Sequence, residues 1–232
     1  MFLIRFKIEN ILKLVTILIL AFPAISSAST VRMQTVLGNI DIELFDTAAP
    51  LTVTNFMNYV NSGAYNNSFI HRSMPGFVIQ GGGYTWDNTG VKAITQNTPV
   101  MNEFSSSRSN LRGTIAMAKL GSGPDTATSQ WFFNLADNSA NLDFQNGGFT
   151  VFGQVIGNGM QIVDGIAALQ RVNANGAFSE LPIIPPFSNG TVSQQNAVMV
   201  SNVSAVPVPS ALWLLGSGLI GLAVGARRKQ AA

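Results

Sequence analysis

The sequence predicts a mainly β protein, a closed antiparallel β-barrel of about eight strands with two flanking α-helices. Three observations carry this prediction. Many short apolar segments of strand length lie between residues 31 and 201, only two segments have helical periodicity, and turn-forming residues separate them. Short strands joined by turns favour an antiparallel barrel, since a parallel sheet needs a long crossover after each strand.

The first two strands are predicted at residues 31–35 and 40–44. Gly38-Asn39 lies between them and suits a tight hairpin with positive φ. Residues 40–44 alternate between aliphatic and acidic side chains, which predicts one buried and one solvated face.

The two helices are predicted at residues 50–61 and 162–169. Pro50 suits a first helical turn, the apolar residues that follow repeat at spacings of three and four, and Gly63 ends the segment. The second segment has the same periodicity. Both apolar stripes are interpreted as core contacts rather than cofactor contacts.

Further strands are predicted where apolar runs recur, at residues 77–80, 114–118, 130–134, 149–155 and 197–201. Residues 173–195, which are rich in Gly, Pro, Asn and Ser, are predicted as surface loops.

The amino-terminal residues 1–28 are predicted to be a cleaved signal peptide. Three basic residues lie within the first 13 positions, residues 14–22 are apolar, and residues 26–28 are the small side chains that signal peptidase accepts. The alternative is a membrane anchor, but the apolar run is shorter than the ~20 residues that span a bilayer.

The carboxy-terminal residues 205–232 are predicted to be a tail with a transmembrane helix at 211–226. This segment is uncharged and is followed by the basic residues 227–229. Sixteen helical residues rise only about 24 Å, which is less than the ~30 Å thickness of the hydrocarbon core. Trp213 and the basic residues at the ends of the helix would therefore lie at the membrane interfaces. Residues 29–204 are predicted to form the folded domain. Because basic residues beside a membrane helix face the cytoplasm, this domain is predicted to lie outside the cytoplasm.

Charge and composition exclude several classes of function. Of the 13 Lys and Arg residues, three lie in the predicted signal peptide and three in the tail, and of the 11 Asp and Glu residues one lies in the signal peptide. The domain therefore keeps seven basic and ten acidic residues, which give a net charge of −3. This balance excludes a nucleic-acid-binding surface of the usual basic kind. The chain has no cysteine and one histidine, which excludes disulfides, a thiol nucleophile and a histidine-cluster metal site.

The most informative segment is residues 69–83, which read FIHRSMPGFVIQGGG. As a strand, it places Arg72, Met74, Val78 and Gln80 on one face. A kink at Pro75-Gly76 would turn the side chain of the following phenylalanine toward that face. An arginine, a phenylalanine and a glutamine would then converge on one small apolar cleft.

Four blocks of this chain, in order, resemble the cyclophilin-type peptidyl-prolyl cis-trans isomerases, and among these the exported bacterial branch. The blocks are residues 71–83, 112–118, 127–134 and 151–155. The resemblance implies an isomerase that assists the folding of exported proteins. It also implies that no cofactor and no metal are required.

The resemblance assigns roles to individual residues. Arg72 is implied as the catalytic residue, which stabilises the twisted prolyl amide, and Gln80 as the residue that positions it. The implied substrate-binding residues are Phe77, Val78, Ala118, Lys119, Gln130, Phe132, Leu142 and Phe149. His71 is interpreted as structural, because adjacent strand residues point to opposite faces.

The tail resembles a PEP-CTERM sorting signal, with Val208 at the position of the glutamate in the name-giving motif. This resemblance implies processing by a membrane exosortase and a periplasmic or cell-surface location; the competing interpretation is a permanent single-pass anchor. The implied partners of the domain are proline-containing polypeptides. The alternative function is a non-catalytic peptide-binding module with the same fold.

Overall fold

The structure is a computed structural model that describes residues 28–187 and 191–207. The predicted transmembrane helix and nearly all of the predicted signal peptide lie outside these residues. Within the described ranges, no helix is long and apolar enough to cross a bilayer.

The described chain is mainly β, as predicted. Its strands are β1 (Thr30–Thr35), β2 (Gly38–Leu44), β3 (Ser68–Phe69), β4 (Arg72–Met74), β5 (Val78–Gly81), β6 (Tyr84–Asp87), β7 (Gly90–Ala93), β8 (Thr114–Met117), β9 (Trp131–Asn134), β10 (Val151–Ile156), β11 (Arg171–Val172), β12 (Leu181–Pro182) and β13 (Met199–Ala205). The α-helices are α1 (Pro50–Asn61), α2 (Ser139–Leu142) and α3 (Gly159–Ala167), and three short 3-10 turns lie at Gln145–Gly147, Gly176–Phe178 and Gln194–Asn196.

Eleven strands form one curled antiparallel sheet, more than the predicted eight. Their order is β4-β5-β9-β8-β10-β2-β1-β13-β3-β6-β7, and β11 and β12 pair separately. The strands β3, β6 and β7 were not predicted, and the segment predicted as one strand at 71–80 contains both β4 and β5. Closure of the sheet into a barrel stays a prediction.

The segment predicted as one kinked strand at 71–80 is two antiparallel strands, β4 and β5. Pro75 and Gly76 form a reverse turn rather than a kink, because the Phe77 N–H donates to the Met74 carbonyl at 2.9 Å. Gly76 has φ of +77°, which suits glycine at the third position of a type II turn after proline.

Both predicted helices are present. α1 has the predicted bounds, whereas α3 begins three residues earlier and ends two residues earlier than predicted. The prediction that residues 173–195 are loops is wrong in part, because β12 and two 3-10 turns lie there. Short elements of two or three residues leave too little sequence for a periodicity to appear.

The main core lies on one face of the sheet and includes buried side chains of α1 and α3. The Phe56 ring of α1 lies 5.1 Å from the Phe152 ring and 5.4 Å from the Tyr65 ring. A second, smaller cluster lies on the opposite face of the sheet, and neighbouring residues of one strand divide between the two. Phe133 belongs to the main core, and Phe132 belongs to the smaller cluster.

Candidate active site

The candidate site is built on a row of residues that crosses five adjacent strands. Arg72 of β4 is opposite Gln80 of β5, and Gln80 is opposite Phe132 of β9. Phe132 is opposite Ala116 of β8, which is opposite Val151 of β10. Residues directly opposite each other share one face of a sheet. The row therefore places a cation and an amide at the edge of an apolar surface.

The β4–β5 turn positions Phe77 beside this row. The carbonyl of Phe77 accepts hydrogen bonds from the Leu135 N–H and from Asn138 Nδ2, both at 2.9 Å. A backbone held from two directions fixes where the phenylalanine ring lies. Phe77 packs against the smaller cluster together with Phe149.

A chain of hydrogen bonds connects Arg72, through Gln80, to Gln130 immediately before β9. Arg72 Nη1 donates to Gln80 Oε1 at 3.2 Å, and Gln80 Nε2 donates to Gln130 Oε1 at 2.7 Å. Arg72 Nη2 also contacts the Met74 sulfur. Gln80 thus uses its acceptor for the guanidinium and a donor for Gln130, which fixes its orientation.

A cavity of about 230 Å³ lies against this row of side chains. Its lining residues are Arg72, Phe77, Val78, Gln80, Ala118, Lys119, Phe132, Leu142, Gln145 and Phe149. Nine of the ten residues for which the resemblance implies a catalytic or binding role are therefore brought together. Gln130 does not line the cavity, but it supports Gln80 from behind.

The walls of the cavity are aromatic and aliphatic. The Phe132 and Phe149 rings meet edge to face, with centroids 5.7 Å apart and planes at 73°. Val78, Phe132 and Leu142 are buried, whereas Arg72 and Gln80 are partly exposed at the rim. Two larger cavities, of about 640 and 570 Å³, are lined by no charged side chain, and a third, of about 370 Å³, is lined by Arg108 together with two carboxylates. The smaller cavity is thus distinguished by a guanidinium beside aromatic walls with no carboxylate in the lining.

The family described as "Cyclophilin type peptidyl-prolyl cis-trans isomerase/CLD" matches residues 30–184, about two thirds of the chain. The chain belongs to this cyclophilin family. Its enzyme class is therefore peptidyl-prolyl cis-trans isomerase.

Two bacterial relatives extend this assignment. Peptidyl-prolyl cis-trans isomerase A of Dickeya dadantii is 44% identical over 164 residues, which cover 70% of this chain and 83% of that protein. Peptidyl-prolyl cis-trans isomerase B of Escherichia coli is 38% identical over 149 residues, or 62% of this chain and 87% of that protein.

The fold agrees with the family assignment. A cyclophilin type peptidyl-prolyl cis-trans isomerase of Cryptosporidium parvum superposes with a TM-score of 0.58 at 23% identity, over 78% of this chain and 99% of the other. The cyclophilin fold is therefore present.

Residues 205–229 match the PEP-CTERM protein-sorting motif. That motif implies an exported protein that is sorted at the cell envelope.

Lys119 of this cyclophilin turns its side chain toward a neighbouring loop. Its Nζ donates to the carbonyls of Asn146 at 2.8 Å and Gly148 at 2.6 Å, and lies 4.8 Å from the centre of the Phe149 ring. Burial lowers the pKa of Lys119, against a smaller opposing effect of Asp125. The side chain therefore ties the Phe149 wall to the segment that follows β8.

The backbone donor of Ala118, one of the implied substrate-binding residues, is already engaged within the protein. Its N–H already donates to the carbonyl of Gln130 at 2.9 Å. An extended peptide therefore cannot use this donor without breaking a bond within the protein.

His71 lies on the other side of the strand from Arg72, as expected. It is 3% exposed, and its ring meets Tyr84 edge to face at 5.1 Å. Burial, together with the nearby charge of Arg72, lowers the pKa of His71 to about 4, although the Gln130 side chain opposes the shift. His71 is thus neutral at ordinary pH and packs behind the site.

Sequence reasoning missed Gln145 and gave Met74 no role. Gln145 lines the cavity, and its side-chain amide donates to Asn141 Oδ1. It lies in a 3-10 turn, where no periodicity indicates which side chain faces inward. Met74 was placed on the same face as Arg72 by alternation, but no role was assigned to a contact between its sulfur and the guanidinium.

Proposed function

We propose that this cyclophilin isomerises prolyl bonds through Arg72, which stabilises the twisted amide while the apolar cavity holds the proline ring. The observation that carries the proposal is the Arg72 guanidinium at the rim of a hollow walled by Phe77, Phe132, Leu142 and Phe149. The prolyl bond is held planar by resonance, and rotation faces a barrier of ~18–20 kcal/mol.

Two effects of the site would lower this barrier. Apolar walls remove water from the amide, which otherwise stabilises its planar, charge-separated form. A fixed cation beside the prolyl nitrogen and carbonyl favours the twisted form, because electrostatic stabilisation is strong where water is excluded. Neither effect needs a nucleophile or a cofactor.

Gln80 supports this role as a positioning residue. A guanidinium has five N–H donors, and Gln80 and the Met74 sulfur engage only part of the fork. The remaining donors can reach a substrate carbonyl while the plane of the guanidinium stays fixed. Gln130, which holds Gln80, would add a contact to the substrate backbone.

The sheet would close into a barrel of eight strands next to Arg72. The Ile70 N–H donates to Val198 beside β13, and the following His71 N–H donates to Gln80 on β5. If β3 and β4 are counted as one strand, that strand bonds to β5 on one side and to the chain beside β13 on the other, which would close the sheet. Arg72 then follows the seam, where the chain is held from both sides.

The proposed clients are exported polypeptides that contain proline. The chain would enter the export pathway through residues 1–28, and an exosortase would process the membrane-inserted tail. The start of β1 and the end of β13 lie side by side. Val31 pairs with Ala205, and the Val206 N–H donates to the Thr30 carbonyl at 2.8 Å. Both segments therefore leave the domain from neighbouring strand ends.

A protease-coupled assay on the processed protein tests the activity. We expect faster isomerisation of a proline tetrapeptide than without protein, and recovery of the protein from the cell envelope rather than the cytosol. If the protein binds the peptide without accelerating isomerisation, the non-catalytic peptide-binding module replaces the enzyme.

A further inference from the structure

The backbone of Ser29 lies in a polar contact that the isomerase site does not use. Ser29 N–H donates to Asp46 Oδ2 at 2.7 Å, and Ser29 Oγ donates to Asp46 Oδ1 at 2.8 Å. Both oxygens of one carboxylate are thus engaged by one residue. The Leu44 N–H donates to the Ser29 carbonyl at 2.8 Å, so Ser29 is held from both sides.

Ser29 is also the first residue after the predicted signal peptide, whose last three residues, 26–28, are small. Cleavage after Ala28 would convert the Ser29 amide into an α-ammonium at the same place. A charged donor forms a hydrogen bond to a carboxylate about twice as strong as a neutral donor does.

We propose that Asp46 is the binding site for the mature amino terminus, and that signal peptidase creates this terminus at Ser29. The ligand is the α-ammonium of the chain itself, held with its hydroxyl by one carboxylate. The inference rests on the proposed export of the protein, but it does not depend on the isomerase mechanism. Processing would therefore strengthen a contact that the folded domain already makes.

Other charged groups near this contact have partners of their own. The cavity beside Ala28 is also lined by Glu43 and Arg108. Glu43 accepts a hydrogen bond from Gln154 Nε2 at 2.6 Å, and Arg108 donates to the backbone carbonyls of Glu103 and Val151. Asp46 is therefore the carboxylate that meets the new ammonium.

The first measurement locates the terminus. The 232-residue precursor is expressed in a host with signal-peptidase-dependent export, and the mass of the exported protein is determined. We expect a chain that begins at Ser29. A chain that begins elsewhere, or one that is not cleaved, overturns the inference even if the protein is an active isomerase.

The second measurement tests the ion pair through pH. An unperturbed α-ammonium has a pKa of about 7.7–8.0, and a carboxylate beside it raises that pKa. Because the folded pKa is raised, the stabilisation is complete below about pH 7.7 and is lost as pH rises through the folded value. We expect the α-amine of the exported protein to be acylated at higher pH than that of its Asp46→Asn variant.

Thermal unfolding supplies a matched control. In a second precursor an Ala-Glu dipeptide is inserted between Ala28 and Ser29, so that the new terminus lies away from Asp46. We expect Asp46→Asn to lower Tm by about 2–4 °C more in the Ser29 form than in the extended form at pH 7, and equally in both at pH 10. Asp41→Asn, which removes a carboxylate paired with Arg32, should not distinguish the two forms.

An equal effect of Asp46→Asn in both forms at pH 7 would overturn the ion pair. If Asp46→Asn does not fold, the α-amine of the unsubstituted protein is compared with that of the extended form. An α-amine pKa that is the same in the two forms then overturns the inference, and a higher value in the Ser29 form supports it.

Discussion

Arg72 and Gln80 lie directly opposite each other on β4 and β5, and the guanidinium donates to the amide oxygen at 3.2 Å. The same amide donates to Gln130 at 2.7 Å. Gln130 therefore orients the Gln80 side chain, and Gln80 in turn orients the guanidinium of Arg72.

This relationship predicts how loss of the Gln80 amide would act. Gln80→Leu removes both hydrogen bonds at similar size, so kcat should fall about tenfold, as expected for the loss of about 1.4 kcal/mol, while KM changes little. The exposed Gln154, which bonds Glu43, provides the matched control, and Gln154→Leu should be silent. A change in KM alone would mean that Gln80 binds substrate rather than positions Arg72.

Lys119 should act on substrate affinity through the loop that carries Phe149. Lys119→Met removes the bonds to the Asn146 and Gly148 carbonyls, so the wall should loosen and KM for a proline tetrapeptide should rise several-fold. Lys119→Arg, which keeps the donors, should recover most of the loss. Steady-state kinetics of both variants checks this, with Lys92→Met on the exposed β7 strand as control. Identical KM values for Lys119→Met and the unsubstituted protein would contradict it.

Gly81 and Gly82, at the end of β5, both lie against Trp131, and Gly82 also lies against a backbone carbonyl. A Cβ on Gly81 would lie 2.7 Å from Trp131 Cη2, an atom that phenylalanine lacks. A Cβ on Gly82 would lie 2.6 Å from both Trp131 Nε1 and the Ser129 carbonyl, at φ of +74°. Because Trp131→Phe leaves the carbonyl clash and the positive φ at Gly82, it should recover about 1 kcal/mol of the stability lost in Gly81→Ala and a smaller part of the loss in Gly82→Ala. Denaturant unfolding of the two double-mutant cycles measures this, and equal coupling in both would refute it.

Glu103 should stabilise the start of α1, which has no side-chain cap of its own. Its carboxylate accepts the N–H groups of Leu51 at 3.0 Å and Thr52 at 2.7 Å. Glu103→Ala should lower the free energy of unfolding by about 1–2 kcal/mol, and Glu103→Gln by less, since it keeps one acceptor. Urea unfolding distinguishes the two. Equal losses would mean that the carboxylate does not act as a cap.

His71 should make stability depend on pH. Its pKa is lowered from 6.5 to about 4 in the folded state, so the unfolded chain binds the proton first as pH falls. The contribution of His71 is therefore complete above pH 6.5 and is lost between about 6.5 and 4. His71→Gln should flatten this part of the stability curve. Thermal unfolding at several pH values measures it, and parallel curves for both proteins would contradict the burial argument.

The sequence predicted the site best where local alternation decides the geometry. Arg72 and Gln80 share a face because the short turn at Pro75-Gly76 places them directly opposite each other on β4 and β5, an outcome that the even spacing of the two residues also predicted. The bounds of α1 were likewise set by proline and by an apolar stripe. These features depend on residues that are close in the chain.

The rest depends on pairings between distant strands. Gln130 reaches Gln80 across 50 residues of sequence, and the β5–β9 register that permits it leaves no local signal. The Lys119 side chain was not expected to bond a loop 27 residues away. The β6–β7 hairpin was missed because each of its strands has only four residues, too few for the alternation of Tyr84 and Trp86, which pack near Phe69, to be recognised.

The most direct test of the account is the isomerase activity of Arg72→Ala. In a protease-coupled assay with a proline tetrapeptide, kcat/KM should fall ~10²-fold or more, as when one stabilising donor is lost. Arg32→Ala removes a surface arginine paired with Asp41 and should leave kcat/KM unchanged. Equal kcat/KM values for Arg72→Ala and the unsubstituted protein would contradict the role of Arg72.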